Sequence, residues 1–423
     1  MTKIIKSERE LESLQKNLEY QNKNLKVFIV DILPQKCCTR ENMEDRMLEM
    51  ENLVKTFGWV VILEHIQKRS LPDYNTYIWE WKLDEIINEM KLKWANLLIF
   101  WNILKSHQIY KVNEKLKKIW AKAWDRVDLI LKIFEKNAKT KESKLQIELA
   151  AIKHMWPRIF WMWMELSKQW WWIWTRWKWE TNTEIMKRHL RKKQENIKKE
   201  LENFKKVRKL HRDSREKKWL KTVWIVGYTN AWKSTLTNIL TKKWVLAEDK
   251  LFATLWTSVW KMFIGSEELG EKFRKKFRIS EYRWLEILVN DTIWFIRDLP
   301  PELVDAFAST LEDSIESDIL LHVIDSSDPK IEEKIKVVEK ILDKIWANQK
   351  RIYVFNKIDF LENKEFFVTE KIKKDEKYEL IEKKYKNKKE YLKEKFSHLN
   401  PIFISAWKNI WIEKLKEKIL EEL

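Results

Sequence analysis

Residues 223–240, VWIVGYTNAWKSTLTNIL, decide the fold, because they combine a hydrophobic strand, a short loop and the start of a helix. They fit the phosphate-binding pattern G-x-x-x-x-G-K-[ST] at Gly227, Lys233 and Ser234. Trp232 stands where the pattern has its second glycine. A glycine there lets backbone N–H groups approach an anion with no side chain in the way, whereas an indole is the largest side chain available. The mismatch needs an explanation from the rest of the sequence.

Tryptophan and glycine are both present in unusual numbers. The 423 residues include 27 Trp and 4 Gly, whereas glycine ordinarily makes up about 7% of a protein. Counting every Trp as glycine restores about 7%. We therefore predict that the gene encodes glycine with UGA codons, which are translated here as though they encoded tryptophan. The alternative is a protein that is truly rich in Trp, and it stays open for Trp124 and Trp156, which are not at obvious glycine positions.

Length, charge and cysteine content narrow the class of protein. A chain of this length suggests two or three domains. A net charge of +19 favours a polyanionic partner, nucleic acid more than a membrane. The adjacent Cys37 and Cys38 cannot form a disulfide framework, which favours the reducing cytoplasm. We expect neither a signal peptide nor membrane insertion, since Glu165 and Lys168 interrupt the most membrane-like tract, 156–175.

The first third of the chain alternates strands with helices. Residues 27–33, 59–63 and 95–100 are hydrophobic runs typical of buried strands, and helical sequence lies between them. This alternation predicts a small parallel α/β domain over residues 25–135. Residues 1–24 are a polar extension that is expected to be helical or disordered, without identifiable chemistry.

Two long helices are predicted to follow. Apolar residues recur at helical spacing over residues 143–155, and again over about 184–218. We expect the two helices to form an antiparallel hairpin over residues 136–220, with the Trp-rich tract 156–175 as its glycine-rich loop. The many Lys and Arg residues of the second helix are either a nucleic-acid-binding face or a solvated surface.

Residues 221–423 carry the motifs of nucleotide chemistry. Lys233 is expected to contact the β- and γ-phosphates, and Ser234 to ligate Mg²⁺. DTIW, residues 291–294, has the form D-x-x-G if Trp294 is glycine, which places Asp291 near the Mg²⁺ shell. NKID, residues 356–359, follows a predicted strand, and Asp359 can accept two hydrogen bonds from guanine that adenine cannot supply. SAW, residues 405–407, is the expected base-contacting loop.

Together these motifs resemble the HflX-type GTPases, a family of the translation-factor-related class. GYTNAWKST and DTIWFIRDLP are similar to that family's GYTNAGKST and DTVGFIRxLP, and LLHVIDSSDP and NKID follow in family order. IQKRSLPDYNTYIWEWKLDEI and KLQIELA resemble its N-terminal half, so that the resemblance covers roughly residues 25–423. The family has glycine at Trp79, Trp81, Trp161, Trp163, Trp170, Trp171, Trp172, Trp174, Trp177, Trp179, Trp232 and Trp294.

The resemblance implies a fold and a set of site residues. The fold is an N-terminal parallel α/β domain with a long antiparallel helical hairpin, followed by a Ras-like P-loop GTPase domain. The implied catalytic residues are Lys233, Thr254 and Asp291, the Mg²⁺ ligands are Ser234 and Thr254, and Asn230 helps to hold K⁺. The nucleotide-binding residues expected are Gly227, Tyr228, Thr229, Asn230, Ala231, Trp232, Lys233, Ser234, Thr235, Phe252, Ala253, Thr254, Leu255, Trp256, Asp291, Thr292, Ile293, Trp294, Asn356, Lys357, Ile358, Asp359, Ser405, Ala406 and Trp407.

The family resemblance also implies a partner. The family is similar to ribosome-associated GTPases that bind the large subunit and, with GTP, separate stalled ribosomes. We therefore expect GTP and GDP as ligands, ribosomal RNA as the polyanionic partner and a monomeric chain. Phe295 stands where Ras-type enzymes carry a water-orienting Gln, which predicts slow hydrolysis that ribosomes stimulate.

The sequence departs from the family at three places. Lys178 replaces a proline, Trp256 replaces an aspartate, and a Lys-rich insertion at about residues 364–395 is expected to be a solvated helical excursion. Two other functions remain open. A ribosome-assembly GTPase would share the nucleotide motifs. A nucleotide-independent RNA-binding protein is favoured if Trp232 is literal, because its indole would fill the phosphate cradle.

Overall fold

The structure is a computed structural model, and it describes residues 3–4, 26–34, 39–138, 140–169, 176–217, 220–241, 258–265, 271–277, 284–291, 303, 317–361, 366–374 and 377–423. The chain forms two compact units, one built mainly of residues 1–205 and the other mainly of residues 206–423. Each contains a largely parallel sheet with helices, as the sequence predicts. The narrower domain limits at about residues 24, 135 and 220 remain predictions. Cys37 and Cys38 lie outside the described residues.

The first unit is built on a five-stranded sheet of order β1-β3-β2-β4-β5. Four strands run parallel, namely β2 (Lys26–Leu33), β3 (Val60–Lys68), β4 (Leu97–Phe100) and β5 (Lys122–Asp125). The strand β1 (Lys3–Ile4) adds to β3 in the antiparallel direction. This corrects the expectation that residues 1–24 are only helical or disordered. Pairing at a sheet edge uses backbone groups, so it leaves little trace in side-chain patterns.

Four helices flank this sheet: α1 (Arg40–Phe57), α2 (Glu80–Lys93), α3 (Ser106–Leu116) and α4 (Arg126–Asn137). The start of α1 is fixed by the Thr39 side chain, which accepts a hydrogen bond from the Asn42 N–H. The start of α4 is fixed by a reciprocal pair of bonds between Asp125 and Asp128. The strands bury their hydrophobic side chains against these helices, and Phe28 and Leu98 are completely buried.

The two long helices are α5 (Lys141–Gln169) and α6 (Arg176–Lys217). Lys141 pairs with Glu200 at 2.7 Å, and Glu148 pairs with Lys193 at 2.5 Å. The earlier residue of α5 thus meets the later residue of α6, so the helices are antiparallel as predicted. The predicted loop at 156–175 is wrong over its first part, because α5 continues to Gln169. Residues 170–175 lie outside the described residues. Trp has a higher helix propensity than glycine. With Trp rather than glycine in residues 156–169, this segment therefore favours a helix.

The second unit contains a six-stranded sheet of order β13-β10-β9-β6-β8-β7. Its parallel strands are β6 (Lys221–Val226), β8 (Leu285–Asp291), β9 (Ile319–Asp325), β10 (Lys350–Asn356) and β13 (Ile402–Phe403). The edge strand β7 (Ser258–Ile264) runs antiparallel to β8. The helices are α7 (Lys233–Thr241), α8 (Glu271–Phe277), α9 (Ile331–Lys344), α10 (Lys388–Lys395) and α11 (Ile412–Glu422).

The Lys-rich insertion differs from its prediction. Most of it is a separate antiparallel hairpin of β11 (Phe366–Lys374) and β12 (Lys377–Tyr385), and only its end is the helix α10. The expected helical excursion is therefore wrong for residues 366–385. The physical reason is that aromatic and branched residues such as those of FFVT and YELI favour strands, whatever the number of lysines around them.

Several Trp residues have backbone angles that suit glycine. A left-handed φ of 55–64° occurs at Trp94, Trp120, Trp232, Trp346 and Trp411. Trp94 follows α2 in the same left-handed conformation in which Gly58 follows α1. Side chains with a Cβ rarely adopt this conformation, and at helix ends glycine usually supplies it. The indoles of Trp94 and Trp120 are also 83% and 93% exposed, so packing does not account for them.

Candidate nucleotide-binding site

The phosphate loop connects β6 to α7 at the carboxyl ends of the parallel strands, where α/β sheets commonly bind ligands. Gly227 is the first residue after β6. A Cβ on it would lie 2.2 Å from the carbonyl oxygen of Val323 in the neighbouring strand β9. No side chain fits at that distance, so the loop requires glycine at its first position. Asn230 and Trp232 both have left-handed φ angles, of 64° and 59°, which bend the loop back towards α7.

Lys233 is the first residue of α7, and its side chain turns back into the loop. Its Nζ donates to the carbonyl oxygens of Gly227 and Tyr228, each at 2.9 Å. Burial lowers the pKa of the Lys233 ammonium to about 8, although the Asp291 carboxylate acts in the opposite direction. The hydrogen bonds of this buried cation go to neutral carbonyl groups, and such a cation gains much from an anionic partner, so the group is suited to bind phosphate. Ser234 and Thr235 follow in the first turn of α7, at the end of the helix where anions bind.

Asp291 ends the strand β8, beside β6, and only 3% of it is exposed. It lies opposite Ile225 in the parallel register of β6 and β8, and Ile225 is two positions before Gly227, so the predicted D-x-x-G aspartate lies close to the phosphate loop. The other predicted residues of that motif lie outside the described residues, namely Thr292, Ile293 and Trp294. The same holds for the predicted nucleotide-binding residues Phe252, Ala253, Thr254, Leu255 and Trp256. Their roles therefore stay predictions.

Asn356 links the NKID segment, in which it lies, to the phosphate loop and to the SAW segment. It ends β10 and is completely buried. Its side-chain Nδ2 donates to the carbonyl oxygen of Ala231 in the phosphate loop at 3.0 Å, and its Oδ1 accepts from the Ala406 N–H at 2.9 Å. One side chain thus ties the NKID segment to both the phosphate loop and the SAW segment. Ser405 closes the SAW loop through paired backbone bonds with Ile410.

Asp359 lies in a short 3-10 helix, Ile358–Phe360, directly after the left-handed residue Lys357. The Oδ1 atom of Asp359 is buried and, among the described residues, has no hydrogen-bond partner. A buried carboxylate oxygen without a donor is costly, and a base that brings N–H donors to it removes the cost. The position suits the edge of a guanine ring.

The indole of Trp232 lies on the side of these base-recognition residues. Its ring centroid is 5.7 Å from that of Phe360 and 5.9 Å from that of Trp407, and Lys357 Nζ lies 4.7 Å from it. The expectation that a literal Trp232 would fill the phosphate cradle is therefore wrong in its location. The side chain lies against the NKID and SAW segments instead.

Sequence reasoning missed an ionic cluster in the first unit. Asp125, Asp128 and His154 have ligand atoms within 4.8 Å of one another, which makes them a geometric candidate for a metal ion. The guanidinium of Arg158, however, donates to both carboxylates, with a 2.7 Å bond to Asp128. Since a cation already occupies the acidic groups, the cluster is an ion-pair network that joins α5 to the start of α4. The sequence gives no signal for this cluster, because Asp125 and Asp128 are about 30 positions from Arg158 and belong to no motif.

Comparison with known proteins identifies relatives over most of the chain. Residues 44–135 match the model of the GTP-binding GTPase N-terminal family, 137–215 that of the GTP-binding GTPase middle region, and 222–357 that of the 50S ribosome-binding GTPase family. A GTPase HflX of Caldanaerobacter subterraneus subsp. tengcongensis is 38% identical over 78% of this chain and 74% of its own length. The GTPase HflX of Escherichia coli K12 is 36% identical over 76% of this chain and 71% of its own.

A GTP-binding protein from the archaeon Sulfolobus solfataricus, in complex with GDP, is 23% identical with a TM-score of 0.47, covering 94% of this chain and 98% of that one. In the described part of the chain, no helix is both long and apolar enough to cross a membrane.

Proposed function

The chain belongs to the HflX family of GTPases, which bind and hydrolyse GTP, and from this premise we propose that it acts on the large ribosomal subunit and separates stalled ribosomes when GTP is bound. The observation that carries the proposal is the exposed basic face of α6, together with the phosphate loop and the NKID and SAW segments of the second unit. We further propose that the chain works as a monomer in the cytoplasm.

The described residues fit a guanine nucleotide with Mg²⁺. Lys233 would hold the β- and γ-phosphates, and the unpartnered Oδ1 of Asp359 would accept from guanine. Ser234, at the start of α7, would ligate Mg²⁺, with Thr254 as a second protein ligand. When bound, Mg²⁺ neutralises developing negative charge on the phosphates. Asn230 would contribute to a K⁺ site beside them. The residues proposed for nucleotide contact are those predicted from the sequence.

Hydrolysis without a ribosome should be slow. Phe295 offers no polar group to orient water, so the chain needs another group to complete its site, and the ribosome is the proposed source. Unassisted GTPases of this kind turn over at about 10⁻⁴ to 10⁻² per second. A rise in turnover on addition of large ribosomal subunits is expected.

We propose that glycine is the natural residue at the left-handed Trp positions, Trp232 among them. The φ angle of 59° at residue 232 and the exposure of the other left-handed Trp side chains support this. With glycine at 232, the phosphate loop would have the complete family pattern. Sequencing the gene tests the proposal, because TGG codons at residues 94 and 232 would contradict it.

The basic face of α6 supports the ribosomal part of the proposal. Arg188, Arg191 and Lys192 are exposed, whereas Ile197 faces inward and is 4% exposed. Exposed cations on one side of a helix neutralise nucleic-acid phosphates and give salt-dependent affinity. Residues 169–180 at the end of the hairpin are proposed to act on the ribosome itself and to contribute little to affinity.

Sedimentation with ribosomes tests this division. We expect Arg191→Glu with Lys192→Glu to weaken binding to large subunits and to flatten its salt dependence. Shortening the tip between Gln169 and Glu180 should keep binding and abolish subunit separation with a non-hydrolysable GTP analogue. The matched control is Lys344→Glu, a charge reversal at an exposed lysine that ends α9. If the charge reversals on α6 leave binding unchanged, that face is only a solvated surface.

A further inference from the structure

Asp325 lies at the carboxyl end of β9, next to the segment that recognises guanine. It is the partner of Asn356 in the parallel register of β9 and β10. Its Oδ2 accepts a hydrogen bond from Lys357 Nζ at 2.7 Å. The two side chains are 18% and 8% exposed, so this ion pair is largely shielded from water. A pair of this kind holds its partners in place more firmly than a surface pair does.

The other oxygen of Asp325 has a separate role. Its Oδ1 accepts from the Ser327 N–H at 2.9 Å and from the Ser327 hydroxyl at 2.6 Å. These two bonds fix the carboxylate in a turn directly after the strand. The carboxylate is therefore oriented by its own loop before it meets Lys357, and it presents one oxygen to the lysine.

Lys357 stands between the two halves of the nucleotide site. It adopts a left-handed φ of 65°, and it lies between Asn356, which reaches the phosphate loop, and Asp359 on the base side. Its ammonium lies 4.7 Å from the ring of residue 232 in the phosphate loop. A long lysine side chain without a fixed partner would sample many rotamers, and ordering it on binding would cost free energy.

We propose that Asp325 is a positioning residue for guanine nucleotides. By holding Lys357 across the NKID segment and the phosphate loop, it prepares the base side of the site before the nucleotide arrives. It acts through Lys357 and does not contact the nucleotide. This inference rests on the proposed guanine site, but not on the proposed action on ribosomes.

The substitution Asp325→Asn separates the two roles of the side chain. The amide keeps an oxygen for the turn at Ser327 and replaces the oxygen facing Lys357 by an uncharged nitrogen. In the full chain carrying Trp232→Gly, we expect fluorescent GDP to dissociate about tenfold faster, which corresponds to ~1.4 kcal/mol. The matched control is Asp343→Asn. It breaks an aspartate–cation pair with Arg351 near the opposite end of β10 and should leave the dissociation rate unchanged.

A double-mutant cycle distinguishes positioning from a general loss of structure. In a Lys357→Met background, Asp325→Asn should have no further effect on GDP dissociation, because its partner is gone. An equal acceleration in both backgrounds, or none in either, would overturn the inference. Failure of the parent chain to bind GDP would overturn the guanine site and this inference together. Subunit separation is measured in a different assay, so a failure there leaves the role of Asp325 standing.

Discussion

The side chain of Asn356 donates a hydrogen bond to the backbone carbonyl oxygen of Ala231 at 3.0 Å, although 125 positions separate the two residues. The bond joins the last residue of a strand to the middle of the phosphate loop. Both ends of the amide are used, since its oxygen accepts from Ala406. One buried side chain therefore ties the NKID segment to both the phosphate loop and the SAW segment.

Replacing Asn356 by alanine should disconnect these loops. Two buried hydrogen bonds contribute about 2 kcal/mol together, so GDP affinity should fall roughly 30-fold in a calorimetric titration. The matched control is Asn113→Ala. Asn113 also makes two hydrogen bonds, to Ile109 and Ala123, but in the first unit. Asn113→Ala should lower the melting temperature and leave GDP affinity unchanged. Similar GDP affinity in both variants would contradict the linking role.

Replacing Asp359 by asparagine should change the preferred base. The buried Oδ1 of Asp359 is placed to accept from guanine, whereas an amide nitrogen would donate to the oxygen that xanthine carries at that position. We expect weaker GDP binding and stronger XDP binding, measured by competition against a fluorescent nucleotide. An unchanged order of preference would show that Asp359 does not read the base.

Glycine at the left-handed Trp positions should stabilise the chain. Trp94→Gly and Trp346→Gly each remove the strain of a left-handed Trp backbone, which should raise the free energy of unfolding by about 1 kcal/mol. Both indoles are exposed, so their removal costs little packing. Trp101→Gly is the contrasting variant. Trp101 is 1% exposed and lies against the guanidinium groups of Arg46 and Arg126, so its loss should cost ~3–5 kcal/mol. Urea unfolding of each variant measures the sign of the effect.

The ionic cluster of the first unit should make stability depend on pH. Burial by itself would lower the pKa of His154, but Asp125 and Asp128, with oxygens 3.4 and 3.2 Å away, raise it to about 9. Because the folded pKa lies above the usual 6.5, the stabilisation is complete below pH 6.5 and is lost as pH rises through 9.

The measurement is the melting temperature of the full chain between pH 6 and pH 9.5, beside that of His154→Gln. We expect the parent chain to be more stable at the acidic end and the difference between the two to shrink towards the alkaline end. Arg158 also faces these carboxylates and stays charged throughout, so it does not produce the trend. A constant difference across this range would mean that His154 contributes packing alone.

The sequence predicted those parts of the fold and the site that depend on local chemistry. Gly227 and Lys233 were identifiable because phosphate binding needs particular residues at fixed spacing. The strands β2, β6 and β10 were identifiable because buried parallel strands are continuously hydrophobic. Asp325 could not be found in this way, because its role arises only when β9 and β10 lie side by side. Its partner is 32 positions away, and neither residue type is unusual.

The errors have a different cause. The Lys-rich composition of the insertion predicts a solvated helical excursion, whereas strand pairing from Phe366 with Tyr385 to Lys374 with Lys377 makes it a hairpin. A loop over residues 156–169 is expected if the Trp residues there are glycine. With Trp at these positions, the segment forms the second half of α5. In both places the outcome depends on the identity of the side chains rather than on the period of the pattern.

The left-handed Trp residues have a consequence for inheritance. If glycine at these positions is encoded by UGA, a bacterium that reads UGA as stop would release the nascent chain at residue 93 at the latest, just before Trp94. That fragment ends with α2 and lacks the sheet strand β4 and everything after it. It would have no phosphate loop and would expose the edge of β2 with which β4 pairs. Transfer of such a gene to any host that reads UGA as stop would therefore yield only an unfinished chain.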